Sequence, residues 1–86
     1  MILYFSTRFR REYRRLPSKI QQQTDERLRM FKASQFHPLL NNHLLGGEYK
    51  GCRSINVTGD YRAIFEIRAE DYIFIRIGTH SELYGK

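Results

Sequence analysis

Hydrophobic positions change their period along this chain. Met1 to Phe5 is a short apolar and aromatic run ended by Ser6 and Thr7, either of which can cap a helix, so it predicts a first strand leading into a helix. From Thr7 to about Arg15 the apolar residues Phe9, Tyr13 and Leu16 fall at i, i+4 and i+7, one helical stripe. Arg8, Arg11 and Arg15 form a neighbouring row and Arg10 with Arg14 another, so the exposed side of this helix is cationic. Leu16-Pro17-Ser18 interrupts it, because proline disfavours helix at the residue before it. Ser18 followed by Gln21 fits a capping box for a second helix from about Lys19 to Ala33, with Ile20, Thr24, Leu28 and Phe31 on its buried side.

Between Gln35 and Lys50 the periodicity fades, and Phe36-His37-Pro38, Asn41-Asn42 and Gly46-Gly47 predict irregular backbone. A period of two then takes over. Ile55 and Val57, then Ala63, Phe65 and Ile67, then Ile73, Ile75 and Ile77 predict three half-buried strands with these residues on the core face. Ser54, Asn56, Arg62, Ile64, Glu66, Arg68, Tyr72, Phe74 and Arg76 take the opposite parity and are expected on the open face. Thr58-Gly59-Asp60 and Ala69-Glu70-Asp71 are breaks of hairpin length, so the strands form an antiparallel meander followed by a short tail. The expected fold is α+β, of order β-α-α-β-β-β, with a helical hairpin covering one face of a small, mainly antiparallel sheet.

At 86 residues the chain is read as a single domain, residues 1–86. No apolar run is long enough to span a membrane, and Met1 to Phe5 is too short for a signal peptide, so no membrane association is expected and the cytoplasm is the expected location. A lone cysteine, Cys52, makes no intrachain disulfide and reads as a small half-buried strand residue. The net charge of +6 is uneven: residues 1–34 hold nine Lys or Arg against three acids, whereas residues 35–86 hold six of each. A basic helical face suits nucleic acid or an acidic protein segment.

Several chemistries fall away. His37 and His43 sit six apart with no carboxylate at a ligand spacing, so no metal or other cofactor is expected. Gly46-Gly47 without a following helix is no phosphate loop, and no nucleophile elbow is present. What remains suits phosphodiester cleavage in RNA, where the substrate 2'-hydroxyl is the nucleophile and the protein supplies a base, an acid and cations. His80 can serve as acid or base, Asp60 as base or orienting group, and Arg62 as a bidentate phosphate clamp. Tyr84 offers a stacking surface for a nucleobase, and Lys50, Arg53 and Tyr61 are further candidates for RNA contact. His80 as a surface residue, Asp60 as a turn residue and Arg62 as an ion-pair partner are the plainer alternatives, and His37, preceding Pro38, is expected to be structural or idle.

Five stretches in order carry a resemblance. They are Tyr13-Arg14-Arg15-Leu16-Pro17, His43-Leu44 ahead of Gly47-Glu48-Tyr49-Lys50-Gly51, Arg53-Ser54-Ile55-Asn56-Val57, Gly59-Asp60-Tyr61-Arg62-Ala63-Ile64-Phe65, and Ile77-Gly78-Thr79-His80 with Leu83-Tyr84-Gly85. In order and spacing the chain resembles the RelE/ParE superfamily of bacterial type II toxins, nearest the RelE and YafQ branch of mRNA interferases. The resemblance implies the same compact fold and a metal-independent endoribonuclease that cuts mRNA, often in the ribosomal decoding site. It also implies a cognate antitoxin that covers the basic surface and alone brings the toxin to operator DNA. Carried onto this chain, His80 matches the histidine after Gly-Thr that acts as acid or base, His43 the loop histidine and Asp60 the strand-turn aspartate. Arg62 matches the phosphate-contacting arginine and Tyr84 the C-terminal aromatic. Asn56 stands where YafQ-like members often have a histidine, and Tyr61 where they can have a tryptophan. A ParE-like poison of DNA gyrase shares the fold and basic helices but has no need of the Gly-Thr-His tail; a non-catalytic, antitoxin-binding module is the other alternative.

Overall fold

The computed structural model describes residues 1–85. Strand β1 (Leu3–Phe5) leads into helices α1 (Thr7–Arg14) and α2 (Ser18–Ala33), and then come β2 (His43–Leu44), β3 (Arg53–Asn56), β4 (Tyr61–Arg68), β5 (Asp71–Thr79) and a short helix α3 (His80–Tyr84). The sheet order is β1-β5-β4-β3-β2. Strand β1 runs parallel to β5, while β5, β4, β3 and β2 are paired antiparallel.

Helix α1 starts as its sequence predicts, with the Ser6 hydroxyl accepting from the Phe9 N–H at 3.0 Å. The start of α2 differs. Pro17 occupies the cap position with no side-chain bond, and Gln21 Nε2 donates instead to the Tyr13 carbonyl at 2.9 Å, so the expected capping box is absent and the glutamine ties the two helices together. Phe31, fully buried, meets Phe65, Phe74 and Tyr72 edge-on at ring separations of 5.0, 5.4 and 5.6 Å. Phe9 adds a fourth contact to Phe74 from α1, so both helices are fixed by aromatic packing onto the central strands.

The alternation expected along β5 fails halfway. A bulge between Ile64 and Phe65 of β4 pairs Ile64 with Arg76 but Phe65 with Phe74, leaving Ile75 unopposed and reversing the parity of β5 there. Phe74 is therefore a core residue and Tyr72 packs against the core, whereas Ile73 and Ile75 are only half-buried and Ile67 is exposed. Ile77, on the other side of the bulge, is in the core as expected. The open face is also less open than expected, since Ser54 and Ile64 on it are fully buried.

Strand β1 covers β5 only along Tyr72–Phe74. Beyond it α1 takes over the exposed edge. The Ser6 N–H and hydroxyl donate to the carbonyls of Phe74 and Ile75, and the Ile77 N–H donates to the Glu12 carboxylate at 3.1 Å. An edge that would otherwise template pairing is thereby satisfied within the chain. Two expectations about irregular regions are corrected. The stretch from 35 to 50 holds two 3₁₀ turns, Pro38–Leu40 and Gly47–Tyr49, around β2, and the expected tail is the helix α3.

Candidate active site

A cleft of about 410 Å³ opens on the sheet face away from α2, lined by His43, Leu45, Gly46, Gly47, Glu48, Tyr49, Ser54, Arg62, His80 and Tyr84. Its walls are built by local rules. Gly47, at φ +61°, permits the tight turn that folds residues 45–49 over the sheet. Opposite, Thr79 and Glu82 form a full capping box, the Thr79 hydroxyl accepting from Glu82 N–H and the Glu82 carboxylate from Thr79 N–H. That box starts α3 at His80 and places His80 and Tyr84 one turn apart, with ring centroids 4.6 Å from each other. The His80 N–H donates to the Asp60 carbonyl at 3.1 Å, pinning the helix start to the β3–β4 turn.

His43 lies across the ladder from Ser54. Its Nδ1 is 2.8 Å from the Asn41 carbonyl, and because a carbonyl only accepts, the neutral ring carries its proton on Nδ1 and leaves the Nε2 lone pair free. Arg62 is oriented by bonds from Nη1 to the carbonyls of Thr58 and Tyr61 at 2.9 and 3.1 Å. Its Nε and Nη2 make no hydrogen bond among the described residues, which leaves one edge of the guanidinium for an anion.

Four of the eight residues singled out in the sequence thus line one cleft: His43, Arg62, His80 and Tyr84. The other four do not. Asp60 is an exposed turn residue that meets His80 through its main-chain carbonyl, and Lys50 is an exposed residue ending the 47–49 turn. Tyr61 packs against the core cluster. Arg53 shares parity with Ile55, so it lies on the α2 side of the sheet, with Nε donating to Asn42 at 2.8 Å and its guanidinium 5.6 Å from the Phe36 ring. His37 is structural, its Nδ1 accepting from the Leu39 N–H as the cap of the first 3₁₀ turn. Among the described residues no three His, Cys, Asp or Glu side chains come together as metal ligands.

Behind the cleft is an arrangement that the sequence did not disclose. Arg76, nearly buried, donates from Nε and Nη2 to the Glu12 carboxylate at 2.9 and 2.8 Å and from Nη1 to the Tyr49 hydroxyl at 2.6 Å. Burial disfavours the Arg76 cation, but Glu12 and Tyr49 outweigh it and hold its pKa above the ordinary value. Tyr49 in turn meets Tyr84 edge-on at 5.9 Å. Helix α1 is therefore connected, through Glu12, Arg76 and Tyr49, to the aromatic wall beside His80. Glu12 and Arg76 are 64 residues apart, and only the fold brings them together.

A mixed five-stranded sheet with a helical hairpin on one face and this cleft on the other defines the class, a small α+β domain of the RelE type. The model of the YafQ toxins of bacterial type II toxin–antitoxin systems matches residues 1–85, and the chain belongs to that family. Among solved structures, the YoeB/ParE toxin from Agrobacterium tumefaciens superposes with a TM-score of 0.76 at 19% identity, over 93% of this chain and 99% of that one. The E. coli DinJ–YafQ toxin–antitoxin complex contains a chain similar at TM-score 0.67 and 22% identity, covering 98% of this chain and 97% of that one. The RelBE2 toxin–antitoxin complex from Mycobacterium tuberculosis gives 0.67 at 26% identity, over 91% and 95%. No curated sequence matches this chain. It is a type II toxin by family.

Proposed function

We propose that this toxin is a metal-independent endoribonuclease that cuts mRNA, with the ribosome as the setting, and that a cognate antitoxin neutralises it. The observation that carries this is the convergence of two histidines, an arginine with a free edge and an aromatic ring in one cleft. His43 Nε2, the free lone pair, takes the proton from the 2'-hydroxyl as its oxygen attacks phosphorus. The P–O5' bond breaks as the 2'-O–P bond forms, and His80 delivers a proton to the departing 5'-oxygen. The products are a 2',3'-cyclic phosphate and a 5'-hydroxyl. Arg62 faces the non-bridging oxygens where charge accumulates, and Tyr84, steadied by Tyr49, stacks on a neighbouring base. Asp60 holds the His80 main chain, and Lys50, exposed at the end of the 47–49 turn, meets RNA outside the cleft, whereas Arg53 and Tyr61 are taken up by contacts within the fold. The relatives captured in complexes with DinJ and in RelBE2 support an antitoxin as partner. A groove between α1 and α2, lined by Phe5, Phe9, Tyr13, Asp25 and Leu28 and rimmed by Arg10 and Arg14, suits an apolar segment whose acidic groups meet the two arginines, Asp25 being engaged by the Tyr13 hydroxyl. No helix among the described residues is long and apolar enough to cross a membrane.

Primer extension on cellular mRNA after induction tests this. Wild type is expected to give discrete cuts within coding sequence. His80→Ala is expected to lower cutting about 100- to 10,000-fold and Arg62→Ala about 100- to 1,000-fold at matched protein levels. Growth arrest with intact mRNA and a DNA-damage response would replace the nuclease with a gyrase poison.

A further inference from the structure

The face of β3 that runs beneath the cleft carries two polar atoms without partners, one on a lining residue and one just beyond the lining. Ser54 is fully buried and its Oγ makes no hydrogen bond, and the Oδ1 of Asn56, two residues further along the same face of β3, is likewise buried and unpaired. Leaving such groups unpaired costs stability, and native interiors seldom do so. Ser54 lines the cleft itself and sits between His43 on β2 and Ile64 on β4. Asn56 lies directly across the ladder from Arg62.

The chemistry of these atoms narrows what they await. A carboxamide oxygen only accepts, so the partner of Asn56 Oδ1 has to be a donor. A phosphodiester offers none. The ribose 2'-hydroxyl does, and it lies beside phosphorus, while the donors of a nucleobase edge are farther away. With Arg62 as the phosphate-facing cation, the cross-strand neighbour of Arg62 is the place where a 2'-hydroxyl falls. Resting on the nuclease reading, we propose that Ser54 and Asn56 are a ribose-reading floor: Asn56 Oδ1 accepts from the 2'-hydroxyl beside the phosphate held by Arg62, and Ser54 Oγ bonds the adjoining sugar. Neither is an acid or base at neutral pH, so they act by holding the strand, and the hydroxyl proton still passes to His43 when the reaction proceeds.

The test compares a random-sequence RNA pentanucleotide pool with its deoxy counterpart, titrated into ¹⁵N-labelled full-length protein. A His80→Ala background removes turnover, and amide shifts of the cleft residues are followed. RNA is expected to bind about 5- to 10-fold more tightly than DNA, the effect of one or two neutral hydrogen bonds. Asn56→Ala is expected to bring that ratio close to one, and Ser54→Ala to reduce it, with DNA affinity unchanged in both. Because Ser54→Ala removes an unpaired buried hydroxyl, its Tm is expected to stay level or rise by a few degrees. A purely structural serine would instead lose stability. An equal affinity for RNA and DNA in the parent, or a ribose preference that survives both substitutions, overturns the floor but leaves the nuclease reading intact. Failure of either pool to shift any cleft amide, with mRNA left uncut in cells, overturns both.

Discussion

Cys52 shows how a residue's surroundings decide its chemistry. Burial, reinforced by the Glu66 carboxylate, pushes its thiol above the ordinary range. A raised folded-state pKa means that the folded protein holds this proton more tightly. Its contribution to stability is complete below the unfolded pKa and is lost as pH rises through the folded one. Alkylation by iodoacetamide, followed by mass spectrometry, is therefore expected to be several-fold slower at pH 8 than in the urea-unfolded chain, and the midpoint of its rise with pH is expected to lie above about 8.5, the midpoint of a free thiol. A midpoint equal to that of the unfolded chain would mean an unshifted thiol. Cys52 is half-buried, as its sequence context suggested, but it lies just ahead of β3 rather than in a strand; the positions of His43, Arg62, His80 and Tyr84 at the ends of the strands were legible in the sequence. The place of Arg53 was not. Its charge suggested the RNA side, but its parity with Ile55 puts it on the α2 side, where Asn42 and the Phe36 ring hold it.

At the scale of elements, α1 and α2 were legible because Phe9, Tyr13, Thr24 and Phe31 keep a helical period over several turns. Strand β2 was not, since two residues carry no period. Helix α3 left a usable signal, Thr79 followed three residues later by Glu82 and then Gly85, while the similar spacing of Ser18 and Gln21 misled because Pro17 had already taken the cap position. The bulge at Ile75 gave no composition cue at all, and it reversed the faces of Tyr72 and Phe74. The β4–β5 hairpin carries a cost of its own. Ala69 sits at φ +54°, in the left-handed region that its Cβ disfavours. Ala69→Gly relieves that contact, partly offset by added freedom in the unfolded chain, and is expected to raise stability by about 0.5–1 kcal/mol. A higher urea midpoint with an unchanged m-value would be the sign.

Across the whole molecule, the Glu12–Arg76 pair connects the helical hairpin to the aromatic wall of the cleft and closes the edge of β5. Glu12→Ala strands a nearly buried guanidinium and an edge amide, and is expected to cost about 2–4 kcal/mol in urea unfolding. Replacing both charges by methionine is expected to cost less than Glu12→Ala alone, because no charge is then left uncompensated; a double replacement as costly as the single one would contradict that account. The order of the sheet also has a consequence for how the protein is made. Strand β5, the last of the five in chain order, is flanked by the first in chain order and by β4, and the histidine of α3 follows it directly. While the nascent chain is still in the exit tunnel, the hairpin of α1 and α2 has little of its apolar partner surface, and neither the core nor the cleft can close until β5 has emerged. A toxin built this way has no assembled cleft until β5 is in place, so a nascent chain that stops short of Thr79 carries the pieces of the site but not the site.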